Sequence, residues 1–168
     1  MKTVSNNSIK RRRNMLQLKP IEFLLRALPE GFLVILAIYI FSKTKINNKK
    51  YVITSLIFSL ITYTVRMLPI NYGVHIVLSI LFLLLIVVSY NKIEVLVAIK
   101  SIIFIYLIQF VSEAINVLIL TFMNIDLNIQ FENPIYKSVM GIPSLIITGI
   151  IILIFYIINN TIRKNKKV

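Results

Sequence analysis

The chain has 168 residues, 58% of them hydrophobic, and a mean hydropathy of +0.86. Soluble domains stay near ~45–50% apolar, whereas the apolar runs here approach or exceed the roughly 20 residues that a bilayer-spanning helix needs. A soluble globular domain is therefore excluded. The net charge of +13 does not point to nucleic acid either, because the cations flank apolar runs and form no basic domain that could dock a duplex. With no cysteine, disulfides, thiol nucleophiles and thiolate metal sites are also excluded.

In chain order, residues 1–20 form a basic N-terminal segment containing Lys10, Arg11, Arg12 and Arg13, expected to lie outside the fold. The expected fold is an all-α integral membrane protein, a bundle of about five transmembrane helices, since only helices satisfy their own backbone groups in lipid at this length. The spans are expected at about 21–42, 51–67, 73–90, 95–123 and 139–158. The first run ends at Ser42-Lys43-Thr44-Lys45, which offers no small-residue cleavage site, so it should remain as an anchor. Pro69 to Gly73 reads as a tight turn: proline disfavours helix at Leu68, and glycine tolerates positive φ. Residues 124–138 form the one substantial loop, and 159–168 a second basic tail.

Placing 43–50 and 159–168 in the cytoplasm puts eight cations on one side, as the positive-inside bias favours. The turn at 68–73 and the loop 124–138 then face outside. Five spans put the N-terminus outside too, against its basic block. Three alternatives stand: a re-entrant segment around Pro29 and Gly31, a start at Met15, or a broken rule.

Polar residues inside the spans are few and patterned. Glu22, Arg26 and Glu30 fall at i, i+4, i+8 of the first span, on one helical face. Ser55, Ser59, Thr62 and Arg66 make a stripe in the second, His75 and Ser79 a pair in the third, and Gln109, Ser112, Glu113 and Asn116 a stripe in the fourth. Glu113 lies 18 residues past Val95, roughly 27 Å along a helix. Alternating spans therefore bring Arg26, Glu30, Arg66, His75, Glu113 and Asn116 to one leaflet, the outer one with the orientation above. A charge at mid-bilayer costs at least ~2.5–3.5 kcal/mol, so Glu113 should be compensated by Arg66 or Arg26. Ser144 and Thr148 suit helix packing, and Lys100 should snorkel to the cytoplasmic face.

No catalytic constellation emerges. One histidine with scattered acids is too thin for a metal site, and the only aspartate, Asp126, lies in a loop. The chain is expected to be non-enzymatic and without cofactor.

The stretch VRMLPINYGVH, residues 65–75, resembles a pattern in the membrane regions of Agr-type GHKL sensor histidine kinases of clostridia and relatives. Leu28-Pro29-Glu30 and Glu113 look similar as well, and the likeness covers roughly residues 15–160. The resemblance implies Arg66, Pro69, Gly73, His75, Glu30 and Glu113 as signature positions and a cytoplasmic C-terminus. Those sensors continue into a kinase, whereas this chain has no phospho-acceptor helix and no ATP-binding motif. It therefore implies a stand-alone sensor-type domain in a bacterial cell membrane, binding a peptide or lipid-like signal through an outer-leaflet polar pocket. Its partners would be the bilayer, a cytoplasmic signalling protein or a second copy. The alternative class is a substrate-capturing subunit of an importer; a pore is disfavoured because the charges look paired.

The orientation is testable in a chain without cysteine. Asn71→Cys should react with an impermeant thiol reagent on intact cells and Asn165→Cys should not; the reverse pattern would overturn it.

Overall fold

The computed structural model describes residues 23–68, 72–123 and 134–165, and all secondary structure among them is helical. Helix α1 (Leu28–Phe41) continues a π-helical turn at Phe23–Ala27. It is followed by α2 (Asn48–Met67), α3 (Tyr72–Ser89), α4 (Val95–Phe122), the short α5 (Pro134–Met140) and α6 (Ile142–Asn165). Three helical stretches are long and apolar enough to cross a membrane: Phe23–Phe41, Val95–Phe122 and Ser138–Asn159.

Successive long helices run antiparallel. Lys50 of α2 reaches Tyr90 at the end of α3, and Phe41 at the end of α1 meets Phe104 near the start of α4. Helix α6 runs parallel to α1, so Gly141 lies beside Arg26, Gly149 beside Leu33, and Phe155 beside Phe41. Helix α1 touches α2, α4 and α6, and it supplies Val34, Ile35, Ala37, Ile38 and Tyr39 to the core. It is apolar on nearly every face, as a helix surrounded by others should be.

The packing is inside-out relative to a soluble protein. Thr54, Ser55, Ser59, Thr62, Ser101, Ser112, Ser144 and Thr148 are buried, while Leu56, Leu60, Leu85, Leu107, Phe110 and Leu153 are exposed. Several of these hydroxyls return their proton to the helix that carries them. Ser59, Ser101 and Thr148 each donate to the carbonyl four residues earlier, at 2.8, 2.8 and 2.9 Å.

The closest approach is between α1 and α2. A Cβ on Gly31 would overlap Ser59 Oγ and lie 3.1 Å from the Ser55 carbonyl, so only glycine lets the two backbones meet here. One turn further along, the Tyr51 hydroxyl donates to the Phe32 carbonyl at 3.1 Å, with its ring edge-on to both Phe32 and Tyr39.

The ends of the helices have local causes. Asn47 caps α2, its side-chain oxygen accepting from the Lys50 N–H at 3.3 Å, as N-cap asparagine does. Leu68 ends α2 with ψ 139, the extended backbone imposed by the following proline. After α1, Lys43 N–H donates to Ile40 O and Thr44 N–H to Tyr39 O, a Schellman closure. That closure places Lys43 at φ 54, and the α3–α4 turn places Lys92 at φ 57. For a side chain larger than glycine this backbone costs about 1–2 kcal/mol.

Three expectations need correction. Gly73 is no positive-φ turn residue: α3 already begins at Tyr72, and no glycine among the described residues has positive φ. Pro69, the other turn residue, lies outside the described residues. The loop 124–138 ends in helix, since α5 begins at Pro134, whose fixed φ suits a first helical position. It breaks from α6 because Pro143 has no N–H for the Val139 carbonyl. Helix also runs to Asn165, through most of the tail expected to lie beyond the fifth span.

The two glycines should respond oppositely to alanine. Gly31→Ala should cost about 1–3 kcal/mol by overpacking, read as a lower midpoint of thermal unfolding in detergent. Gly73→Ala, with nothing within 4 Å of the new methyl, should be neutral or raise the midpoint.

Candidate functional site

The antiparallel register brings Arg26, Glu30, Arg66 and Glu113 to the end of the bundle where α1 and α6 begin and α2 and α4 finish. Two ion pairs form there. Arg26 Nη2 donates to Glu113 Oε1 at 2.9 Å, joining α1's π-helical turn to α4. Arg66 Nη2 donates to both carboxylate oxygens of Glu30 at 3.0 Å, joining α2 to α1. Gln109 Nε2 approaches Glu30 Oε1 at 3.5 Å from α4.

The partner of Glu113 is thus Arg26, and Arg66 serves Glu30. Sequence spacing stacks Arg26 and Glu30 on one face, yet they have separate partners. Pro29 lies between them and cannot donate to the carbonyl a turn earlier. The preceding turn widens to a π-helix, which rotates Arg26 away from the face that Glu30 presents to Arg66. Glu22, the third member of that expected stack, lies outside the described residues.

The pairs differ in shelter. The Glu30 side chain is 18% exposed and Arg66 34%, against 51% for Glu113 and 24% for Arg26. The inner pair is therefore the more costly to break, because removing one partner strands a charge with little access to water.

A third contact closes the end. Asn116 Nδ2 donates to the Met140 carbonyl at 2.9 Å, holding α4 to the joint between α5 and α6. Gly141 at that joint makes room for the Arg26 guanidinium, since a Cβ there would lie 3.2 Å from Arg26 Nη1. Sequence reasoning missed both Gly141 and the Met140 carbonyl. A glycine between the apolar stretches of two prolines, Pro134 and Pro143, was the available signal.

His75 sits at the same end, on the first turn of α3, but joins neither ion pair. Its Nδ1 is buried without a hydrogen-bond partner. Ser112 Oγ, Thr62 Oγ1 and Asn116 Oδ1 are likewise buried and unpartnered. Among the described residues no three His, Cys, Asp or Glu side chains converge on a point. The arrangement offers charge pairing and hydrogen bonding.

No family model, characterised protein or solved structure matches the chain.

Charge exchange tests the pairing. Arg26→Glu and Glu113→Arg should each lower the unfolding midpoint, and the double exchange should recover part of the loss. Arg66→Glu combined with Glu113→Arg should recover none. Glu30→Gln should cost about 1–3 kcal/mol, discounted from a fully buried pair for its partial exposure, and more than Glu113→Gln.

Proposed function

We propose that the chain is a non-catalytic, multi-pass protein of the bacterial cell membrane and serves as a sensor-type domain. All five long helices cross the bilayer in this reading, including the two that fall short on length or average hydropathy. Helix α2 is rich in Ser and Thr, but Thr54, Ser55, Ser59 and Thr62 are buried, and the face it turns outward carries Val52, Ile53, Leu56, Ile57 and Leu60. Helix α3 is apolar over Gly73–Ser89 and is only a turn short of a full span.

The observation that carries the functional reading is the pair of ion bridges at one end. Together they tie α1 to α2 and α4, and each retains partly exposed charged atoms. A signal carrying a carboxylate or an ammonium, such as a peptide terminus, competes directly for Arg66 or Glu30. Exchange of one bridge for a ligand contact frees α1 to shift against α2 and α4. Helix α6, which carries the basic tail, packs along α1 and passes that shift to the opposite membrane face. The orientation that puts this site outside and the tail in the cytoplasm follows the charge asymmetry of the links.

Native mass spectrometry of the full chain released from mild detergent tests the reading. The wild-type protein should retain a non-lipid adduct, and Arg66→Gln should lose it while keeping its helical circular dichroism. Wild-type protein free of adduct, or an adduct that persists in folded Arg66→Gln, would sink the proposal.

A further inference from the structure

The end of the bundle opposite the ion pairs carries a second set of charges with a different arrangement. Lys43, Lys45 and Lys49 lie on or beside the α1–α2 link, Lys92 lies in the α3–α4 turn, and Lys100 follows on α4; all five are exposed. The two connections are held side by side. Lys50 donates to the Tyr90 carbonyl at 3.3 Å with its ammonium 5.7 Å from the Tyr90 ring centroid, and Thr54 donates to Asn91 at 3.0 Å. Lys50 is thereby occupied within the fold. None of the five exposed lysines takes part in an ion pair among the described residues. Glu94 is the one described acid at this end.

The backbone adds an independent observation. Both connections place a lysine in the left-handed region, Lys43 at φ 54 and Lys92 at φ 57, where glycine is the usual choice. A cation needed only to orient the chain during insertion could stand at any neighbouring position without that strain. Residues held in such conformations are found where a side chain has a task.

We infer that this end is a docking surface for the phosphate headgroups of anionic glycerophospholipids, held by Lys43, Lys45, Lys49, Lys92 and Lys100. Lys100 selects lipid over a soluble phosphate. It stands six residues past Glu94, roughly 9 Å into the helix. Its neighbours on that face, Leu96, Ile103 and Phe104, are exposed and apolar. Its stem lies along acyl chains while its ammonium reaches back to headgroup level. A phosphodiester anchored in the bilayer is already at that depth, and a free anion is not. The inference rests on the membrane reading and is independent of the signal proposed for the ion-paired end.

The test uses the full chain in dodecyl maltoside, titrated with dioleoyl phosphatidylglycerol or dioleoyl phosphatidylcholine, with bound lipid counted by native mass spectrometry. Phosphatidylglycerol should bind at least tenfold more tightly. Lys43→Gly with Lys92→Gly should unfold at a higher temperature than the parent, because the backbone strain is relieved, and yet weaken phosphatidylglycerol binding by roughly fivefold per lysine. Lys49→Gln with Lys100→Gln should weaken it similarly, and Lys164→Gln with Lys166→Gln and Lys167→Gln should leave it unchanged. Equal binding of the two lipids, undiminished preference in both lysine pairs, or loss of preference in the tail variant alone would each overturn the proposal. So would displacement of the lipid by millimolar inorganic phosphate, or by a polyglutamate peptide that binds more tightly, which would assign the surface to a soluble anion or an acidic protein.

Discussion

Helix α1 carries two opposite charges four residues apart, and the geometry of the bundle depends on their having different partners. Arg26 is neutralised by Glu113 on α4 and Glu30 by Arg66 on α2. Had the two paired with each other, α1 could rotate and slide between its neighbours at little electrostatic cost. Paired outward, they fix both its rotation and its depth, since a shift by one helical turn would leave two carboxylates and two guanidinium groups uncompensated in a medium of low dielectric. The Gly31–Ser59 contact works in the same direction from the steric side, because only one register lets the α1 and α2 backbones approach so closely.

On the membrane reading proposed above, the polarity of the interior follows from what would surround the bundle. In lipid the apolar side chains gain little by turning inward, so helices meet through small residues and through groups that hydrogen bond. Ser55, Ser59, Thr62, Ser112, Ser144 and Thr148 sit where a soluble protein would place leucine or valine. This also explains why α2 scores poorly by average hydropathy. Thr54, Ser55, Ser59 and Thr62 lower the average, but they are buried, and the outward face carries Val52, Ile53, Leu56, Ile57 and Leu60.

The helices were legible in the sequence because long apolar runs leave a direct trace, and three of them are long and apolar enough to cross a membrane. The shared depth of Arg26, Glu30, Arg66, Glu113 and Asn116 was legible for a related reason: alternating direction and a fixed rise per residue leave little freedom. The choice between Arg66 and Arg26 as partner of Glu113 was not. Both arginines satisfy depth and face, and the choice turns on a π-helical turn created by the missing N–H of Pro29. The role of Gly73 was misread because a glycine shortly after a proline suits a turn and a first helical turn equally well. The left-handed lysines left no trace, since lysine has no preference for that backbone and the closure around Lys43 is made entirely by main-chain groups.

The two ion pairs also differ in how far apart their members lie along the chain, and that difference sets a timetable for assembly. Arg66 follows Glu30 by 36 residues, so the hairpin of α1 and α2 neutralises Glu30 as soon as the second helix leaves the ribosome. Arg26 must wait for a residue 87 positions later. From Arg66 to Glu113 is 113 minus 66, or 47 residues, about 2–9 s at the usual roughly 5–20 residues per second of synthesis. During that interval the Arg26 guanidinium has no carboxylate from the later helices. It sits in the π-helical turn that leads into α1, where on the membrane reading a long side chain can still reach the headgroup layer and its water. The position of the late-satisfied charge at the rim, with the early-satisfied one a turn deeper, suits the order in which the helices arrive.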